Sequence, residues 1–367
     1  MSDDLDELRK NVRRFLERYS TEEDVRRLMD DAQGYDPQVW QVMAEQLGLQ
    51  GLIVPERYGG SGFGARELGI VLEEMGAALL ASPFFATVVL AGNTLLSCGD
   101  DGAQERYLPS LASGELIATL AVSEDAGGWD DTAVRLRGVH TDAGWVLDGA
   151  KRYVLDAHIS DLLLVVARTE RGLSLFAVEP ATASCAIEVE TTLDATRKLS
   201  RVTFAGTPAT LIGTEGEAWP GVRRALRLAA GALATEQVGV AQRVLDLTVA
   251  YGKVRHQFGR PVGSFQAVKH RLADMLVEVE SARSAADDAV RAAAEDADDL
   301  ELAASVAKAV CCDVAYRCAA QAIQLHGGIA FTWEHPAHLY FKRATSSQFL
   351  LGTSRHHRDL VGRAIGI

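Results

Sequence analysis

The spacing of hydrophobic residues changes twice along the chain. Up to about residue 117 it is helical, as in the N-terminal stripe of Leu8, Val12, Phe15 and Leu16. Helical spacing returns near Trp219, where Ala- and Leu-rich stripes continue almost to the end of the chain. The first and last parts of the chain are therefore predicted to be helical.

The middle part has a different pattern. Short or alternating apolar runs follow one another, bounded by glycine, proline and Asp-Gly pairs, and residues 142–144 have the composition of a hairpin turn. We therefore predict an α+β multidomain chain. Its three domains are an N-terminal all-α domain (residues 1–117), a middle antiparallel β-barrel or sandwich domain (118–215) and a C-terminal four-helix bundle (216–367).

Composition and charge narrow the class of protein. The chain has 367 residues, of which 48% are hydrophobic, so it can bury a large core. Its net charge of −13 argues against a nucleic-acid partner, because phosphate binding needs a basic face. Its five cysteines include no C-x-x-C pair, which argues against disulfides and against a metal site. The chain has neither an apolar run of membrane-spanning length nor a basic leader, so we expect a cytoplasmic protein without membrane insertion.

Two segments of the last part carry candidate chemistry. In the first, Arg255, Phe258 and Gln266 surround a Gly and Pro interruption that predicts a loop between two helices. In the second, Gly327 and Gly328 end a helical run and let backbone amides approach a ligand. An arginine, an amide side chain and bare backbone suit a pyrophosphate. The same residues also fit an ordinary helical hairpin followed by a glycine cap.

The order R-x-x-F-G-x-x-V-x-x-x-Q and then Q-x-x-G-G-x-x-F resembles the C-terminal domain of the FAD-dependent acyl-CoA dehydrogenase family. The segment from Pro55 to Gly62 matches the family pattern P-E-x-Y-G-G-x-G and extends the likeness to the N-terminal part. The resemblance implies that these C-terminal segments bind the ADP half of an FAD whose flavin ring lies in the neighbouring subunit. The diphosphate would contact Arg255 and Gln266, Phe258 would pack by the cofactor, and the adenosine side would contact Gln324, Gly327 and Gly328.

Two family signatures in the middle domain are altered. At the first, Ser123 is retained as an expected cofactor contact, but Trp129 replaces a small serine of the pattern. At the second, Tyr153 keeps an aromatic side chain, and Leu155 replaces a threonine that hydrogen-bonds the flavin in the family. Leucine has no donor or acceptor, so the flavin-ring contacts of this chain are in question.

The family reaction also needs a carboxylate that removes the α-proton of an acyl-CoA thioester while hydride leaves the β-carbon. The two positions where the family carries this glutamate are Leu351 and Ala229 in this chain. The nearby Glu236 lies on the same predicted helix face as Ala229, and is either a substitute base or an interhelix or solvent contact. Thr353, in the matching Gly-Thr pair, is an expected cofactor contact.

The last helix is predicted from about Ser346, with His356 and His357 on its solvated face. This interpretation leaves both histidines outside any metal or phosphate site.

Several functions remain in view at this stage. The favoured one is an α,β-dehydrogenase of acyl-CoA thioesters, with this chain as the base-lacking subunit of a heteromeric assembly that includes a glutamate-bearing homologue. The oligomer is expected to be a homo- or heterotetramer. Its expected electron acceptor is an electron-transfer flavoprotein or a similar protein, and its substrate a fatty-acyl or steroid side-chain thioester. The alternatives are a self-sufficient dehydrogenase that uses a non-standard base such as Glu236, and a flavin oxidase or hydroxylase on the same fold.

Overall fold

The computed structural model of the protein describes residues 2–367, with side chains from Asp4 onward. The N-terminal helices are α1 (Ser2–Tyr19), α2 (Glu22–Asp30), α3 (Pro37–Leu47), α4 (Ala65–Ala77), α5 (Asn93–Ser97) and α6 (Asp101–Ala112). The C-terminal helices are α7 (Trp219–Val254), α8 (Gln266–Ala294), α9 (Leu300–His326), α10 (Ala337–Ser347) and α11 (Ser354–Ala364). Between them lie β1 (Ala118–Ala121), β2 (Arg137–Thr141), β3 (Gly144–Leu155), β4 (Leu162–Arg168), β5 (Leu173–Val178), β6 (Cys185–Val189) and β7 (Leu199–Ile212).

This order of elements confirms the predicted fold class of helices, then strands, then helices. In α1, Val12, Phe15 and Leu16 are buried, as their spacing predicts. The start of α3 is fixed by Asp36, whose carboxylate accepts a hydrogen bond from the backbone N–H of Gln38 at 3.0 Å. Local sequence signals therefore set both the buried faces and the ends of these helices.

The strands form one seven-stranded sheet. Around the sheet, β2 pairs with β3, β3 with β7, β7 with β5, and β5 with β4. One further pair of residues, Arg137 and Arg168, joins β2 to β4. The sheet therefore nearly closes on itself, as expected for a barrel. It is mixed rather than wholly antiparallel, because β1 runs parallel to β4. The predicted hairpin turn is confirmed, since Asp142 and Ala143 connect the paired residues Thr141 and Gly144.

By its internal contacts the chain forms two compact units that interleave along the sequence. One unit comprises residues 1–26, 65–80 and 230–367; the other comprises 27–64 and 81–229. The three domain boundaries drawn from the sequence remain predictions.

The C-terminal helices differ from the prediction at one place. Instead of one helix from about Ser346, α10 ends at Ser347 and α11 begins at Ser354. The connecting loop leaves helical geometry because Leu351 and Gly352 have φ values of 61° and 103°. Thr353 then caps α11, its hydroxyl accepting a hydrogen bond from the N–H of His356 at 3.2 Å.

Helices α1, α4 and α8 are joined by partly buried ion pairs. Glu73 on α4 pairs with Arg9 at 2.8 Å and with Arg283, and Glu74 accepts two hydrogen bonds from Arg13 at 2.8 and 2.9 Å. Burial alone would raise the pKa of Glu73, but the hydrogen bonds and charges of Arg283 and Arg9 outweigh burial and lower it.

This lowered pKa predicts a loss of stability in acid. A carboxyl group with a lower pKa in the folded state stabilises that state above the unfolded pKa of about 4.3, and the contribution disappears as the pH falls through the folded value. We expect the Tm of the wild-type protein to fall more steeply than that of Glu73→Gln when calorimetry scans are taken at decreasing pH below about 4.3. Glu7→Gln, on an exposed position of α1, is the control and should follow the wild type. Parallel curves for Glu73→Gln and wild type would contradict the prediction.

Candidate functional site

The first candidate segment forms a short β-hairpin rather than the predicted plain loop. After α7, β8 (His256–Gln257) pairs with β9 (Arg260–Pro261), and Phe258 and Gly259 make the two-residue turn. Both turn residues have positive φ, 54° and 78°, as this kind of hairpin requires. The ring of Phe258 is 91% exposed. An exposed aromatic ring in a backbone conformation that costs about 1–2 kcal/mol suggests a contact outside the chain's own core.

The hairpin is held in shape by aromatic contacts. The rings of Phe258 and Phe265 are nearly perpendicular, with their centroids 6.2 Å apart. The guanidinium carbon of Arg260 lies 4.0 Å from the centroid of the Phe265 ring. The backbone N–H of Val262 donates to the carbonyl of Arg255 at 2.7 Å. The side chains of Arg255, before the hairpin, and Gln266, at the first position of α8, are both exposed. The segment therefore presents a cation and an amide on a fixed backbone.

The second candidate segment follows α9. Gly327 has a φ of 68°, and a Cβ added to Gly327 or to Gly328 would meet no atom within 4 Å. Internal packing therefore does not require a glycine at 328, and both positions expose bare backbone. Gln324, in the last turn of α9, is also exposed. The negative end of a helix dipole does not favour phosphate, so this end of α9 suits uncharged adenosine better than a diphosphate.

The structure brings the two segments together. Tyr251, one turn before Arg255 on α7, donates a hydrogen bond from its hydroxyl to the carbonyl of His326 at 3.2 Å. The two rings also stack, with centroids 4.5 Å apart. Arg255 follows Tyr251 by four residues and Gly327 is next to His326, so this contact brings the arginine and glycine segments close together. Their common location agrees with a single ligand contacting both.

In the β unit, Ser123 follows β1 and is buried, and within the described residues its hydroxyl has no hydrogen-bond partner. The neighbouring Glu124 accepts hydrogen bonds from Lys151 at 2.8 Å and from the backbone N–H groups of Arg135 and Leu136. Burial lowers the pKa of the fully buried Lys151 to about 8. This ion pair fixes the backbone on which Ser123 sits.

The second altered signature lies at an irregularity of β3. The pairing of β3 with β7 shifts between Lys151 and Val154, and Tyr153, inside that bulge, has a φ of 57°. Its ring is 38% exposed, whereas Leu155 is buried. The side chain that replaces the expected threonine is therefore buried and offers no hydrogen bond.

Neither expected base position carries an ionisable group, and both are inside the protein. Leu351 is 4% exposed, and Ala229 is fully buried. Glu236 is also buried and pairs with the buried Arg343 at 3.3 Å. Helices α4 and α7 cross closely here, as shown by Gly76 on α4: a Cβ at that position would lie 2.1 Å from the backbone oxygen of Glu236 on α7. This geometry favours the interhelix contact among the two interpretations of Glu236.

Two buried residues around Leu351 were not identified from the sequence. Lys308 on α9 is fully buried and donates hydrogen bonds to the carbonyls of Ser347 at 3.1 Å and Gly352 at 2.9 Å. His357 donates from Nε2 to the carbonyl of Leu351 at 2.9 Å, and burial lowers its pKa to about 3. The prediction that His357 lies on a solvated face is therefore wrong. A lysine within an Ala- and Val-rich run was the one available signal.

By their donor groups and exposure, the residues of the two segments are suited to one half of FAD. The ADP half would be met by Arg255, Gln266, Gln324 and the two glycines, and Phe258 would cover it. The unpartnered hydroxyl of Ser123 could serve a ligand, but Leu155 cannot hydrogen-bond a flavin ring. The hydroxyl of Thr353 accepts the cap hydrogen bond of α11 and can still donate one of its own. Among residues 4–367 no group of three or more His, Cys, Asp or Glu side chains is placed to hold a metal ion.

Comparison with known proteins gives matches over nearly the whole chain. Three family models match: the acyl-CoA dehydrogenase N-terminal domain at residues 2–115, the middle domain at 119–205 and the C-terminal domain at 216–366.

Over the described part of the chain, no helix is both long enough and apolar enough to cross a membrane.

Individual relatives agree with the models. The chain is 35% identical to "Acyl-CoA dehydrogenase IpdE2" of Mycolicibacterium smegmatis, over 97% of this chain and 96% of that protein. Among solved structures, a variant of the "Tcur3481-Tcur3483 steroid ACAD" is 31% identical with a TM-score of 0.89, covering 99% of this chain and 98% of that one. The ChsE4-ChsE5 complex from Mycobacterium tuberculosis is 28% identical with a TM-score of 0.89, covering 98% and 96%.

Proposed function

We propose that this chain, which belongs to the acyl-CoA dehydrogenase family of FAD-dependent oxidoreductases, is the base-lacking subunit of a heteromeric dehydrogenase. In this function it clamps the ADP half of an FAD whose ring lies in a homologous, glutamate-bearing subunit. When bound, FAD supplies the acceptor for the hydride that leaves the β-carbon of an acyl-CoA. This chain contributes binding and orientation to the reaction, and its partner contributes the proton-abstracting carboxylate.

The observation that carries the proposal is the contrast between two groups of residues. At both base positions the side chain is apolar and buried, and Glu236 is paired with Arg343. A general base must be within hydrogen-bond reach of the proton that it removes, and its pKa must be close to the working pH. In contrast, the candidate ADP contacts are exposed, and Tyr251 and His326 join the two segments that carry them. Exposed candidate ADP contacts, together with buried apolar side chains at both base positions, support the base-lacking role.

The relatives support the heteromeric part of the proposal. Two of the solved structures are named as pairs of chains, Tcur3481-Tcur3483 and ChsE4-ChsE5. The first of these is described as a steroid enzyme, so we propose a steroid side-chain or fatty-acyl CoA thioester as the substrate class. The electron acceptor would be an electron-transfer flavoprotein or a similar protein.

The alternative functions demand more of the structure. A self-sufficient dehydrogenase would require Glu236 to leave its buried ion pair and reach the substrate. A flavin oxidase or hydroxylase would need the chain to hold its own flavin ring, for which Leu155 supplies no hydrogen bond. Neither alternative has a specific observation in its favour.

The direct test is the flavin content of the protein expressed alone and together with a glutamate-bearing homologue. We expect the isolated chain to be folded by circular dichroism and to contain little or no FAD, because it holds only the ADP half of the site. Co-expression should give a yellow complex with fewer flavins than chains. An isolated chain with one FAD per polypeptide, measured from its absorbance spectrum, would contradict the division of labour.

A further inference from the structure

Tyr251 connects two parts of the candidate surface that are far apart in sequence. It lies on α7 one turn before Arg255, and its hydroxyl donates to the carbonyl of His326 at 3.2 Å. Its ring packs against the His326 ring at a centroid distance of 4.5 Å and an angle of 33°. A second ring, that of His335, lies 4.3 Å from His326. The end of α9 is therefore attached to α7 by both a hydrogen bond and aromatic packing.

The bonded carbonyl belongs to the peptide that begins the glycine pair. The last carbonyls of a helix have no partner within the helix, and the carbonyl of His326 is one of them in α9. His326 is also the N-cap of the short 3-10 helix Gly327–Phe331 that follows. The N–H of the same peptide, on Gly327, donates back to Ile323. Since a peptide unit is planar, hydrogen bonds at its oxygen and nitrogen together fix its orientation. Glycine backbone is conformationally permissive, so the orientation of the His326–Gly327 peptide determines the direction in which the Gly327–Gly328 backbone continues.

The imidazole of His326 is itself oriented by its own helix. Its Nδ1 donates to the carbonyl of Ala322 at 2.7 Å, one turn back along α9. Burial lowers the pKa of His326, which favours the neutral ring in the packing against Tyr251. The ring of Tyr251 is thus packed against a fixed surface, and its hydroxyl is aimed at one carbonyl.

We infer that Tyr251 is a positioning residue that sets the distance between the Arg255 guanidinium and the Gly327–Gly328 backbone, and so matches the surface to the ADP half of FAD. The inference rests on the proposed function and adds a residue that none of the sequence motifs includes. Tyr251 need not touch the cofactor. It acts by keeping two contacts of one rigid ligand at the separation that the ligand requires.

The test compares two tyrosines that make the same kind of bond. Tyr340, in the same unit, donates its hydroxyl to the carbonyl of Ala77 at 2.8 Å. Tyr251→Phe and Tyr340→Phe each remove one hydroxyl and keep the ring. Both should lower the Tm of the apoprotein slightly. In the co-expressed assembly, stripped of flavin and titrated with FAD, we expect only Tyr251→Phe to raise the Kd, by about threefold to tenfold. An unchanged Kd for Tyr251→Phe, or an equal rise in both variants, would overturn the inference.

A double-mutant cycle with Arg255→Ala separates positioning from general loosening of the fold. If Tyr251 acts by placing Arg255, its hydroxyl matters less once the guanidinium is gone, and Tyr251→Phe in the Arg255→Ala background should raise the Kd less than about twofold. Additive effects would overturn the positioning role and leave the proposed function standing. If Arg255→Ala alone leaves the Kd for FAD unchanged, the proposed ADP clamp fails, and the role of Tyr251 fails with it.

Discussion

Arg255→Ala is expected to weaken FAD binding by the assembly about tenfold to a hundredfold, with little change in the stability of the fold. A charge-assisted hydrogen bond contributes about 1.5–3 kcal/mol, and each 1.4 kcal/mol corresponds to a factor of about ten in affinity. The exposed side chain of Arg255 has little packing to lose, so its removal should change the free energy of unfolding by no more than about 0.5 kcal/mol. Titration of the stripped assembly with FAD and thermal unfolding of the apoprotein measure the two quantities separately.

A matched control for this substitution is Arg14→Ala, which removes an exposed arginine from α1. It should leave both the FAD affinity and the Tm close to wild type. Arg255→Lys keeps the charge and loses the planar fork, so an intermediate Kd is expected if the contact is bidentate. Unchanged flavin content in Arg255→Ala together with a lower Tm would instead assign Arg255 to a structural ion pair.

Much of the fold follows from local patterns of residue type. The buried positions of α1 follow a period of 3.6 residues, and the β2–β3 hairpin follows from a turn composition between alternating strands. The break between α10 and α11 was missed because Ser347 to Leu350 continue a plausible helical pattern. Its cause lies in the positive φ values of Leu351 and Gly352 and in carbonyl contacts from Lys308, which belongs to another helix. Spacing along the chain does not encode such contacts.

The candidate site shows the same limit. Arg255, Gln266 and the glycine pair were chosen from motif resemblance, and their roles remain predictions, whereas their exposure is a property of the structure. The link between the two motifs depends on Tyr251 and His326, which are 75 positions apart. A tyrosine in an amphipathic helix has no sequence feature that marks its hydroxyl for a distant carbonyl. Pairwise geometry of this kind needs the fold before it can be recognised.

Glu236→Leu is expected to destabilise the protein by about 3–5 kcal/mol, because it removes the carboxylate that pairs with the buried guanidinium of Arg343. Arg343 is 2% exposed, so water cannot readily replace the lost partner. The double variant Glu236→Leu/Arg343→Met removes both charges and should recover most of the lost free energy of unfolding, measured by denaturant titration. A double variant as unstable as Glu236→Leu would show that the pair is not the main interaction of Glu236.

The same pair of residues decides between an ion-pair role and a catalytic role for Glu236. Glu236→Gln keeps the shape of the side chain and removes its charge. If Glu236 abstracted the substrate proton, this change would lower kcat by at least about a hundredfold while FAD content stayed constant. We expect turnover by the assembled enzyme to remain within about twofold of wild type, because a base in the partner subunit would do the chemistry. Arg343→Lys, which keeps a cation opposite Glu236, should be equally silent in turnover. If Glu236→Gln alone lowered the rate of flavin reduction by acyl-CoA a hundredfold, this chain would be the catalytic subunit. An effect that came only from a weakened ion pair would appear in both Glu236→Gln and Arg343→Lys.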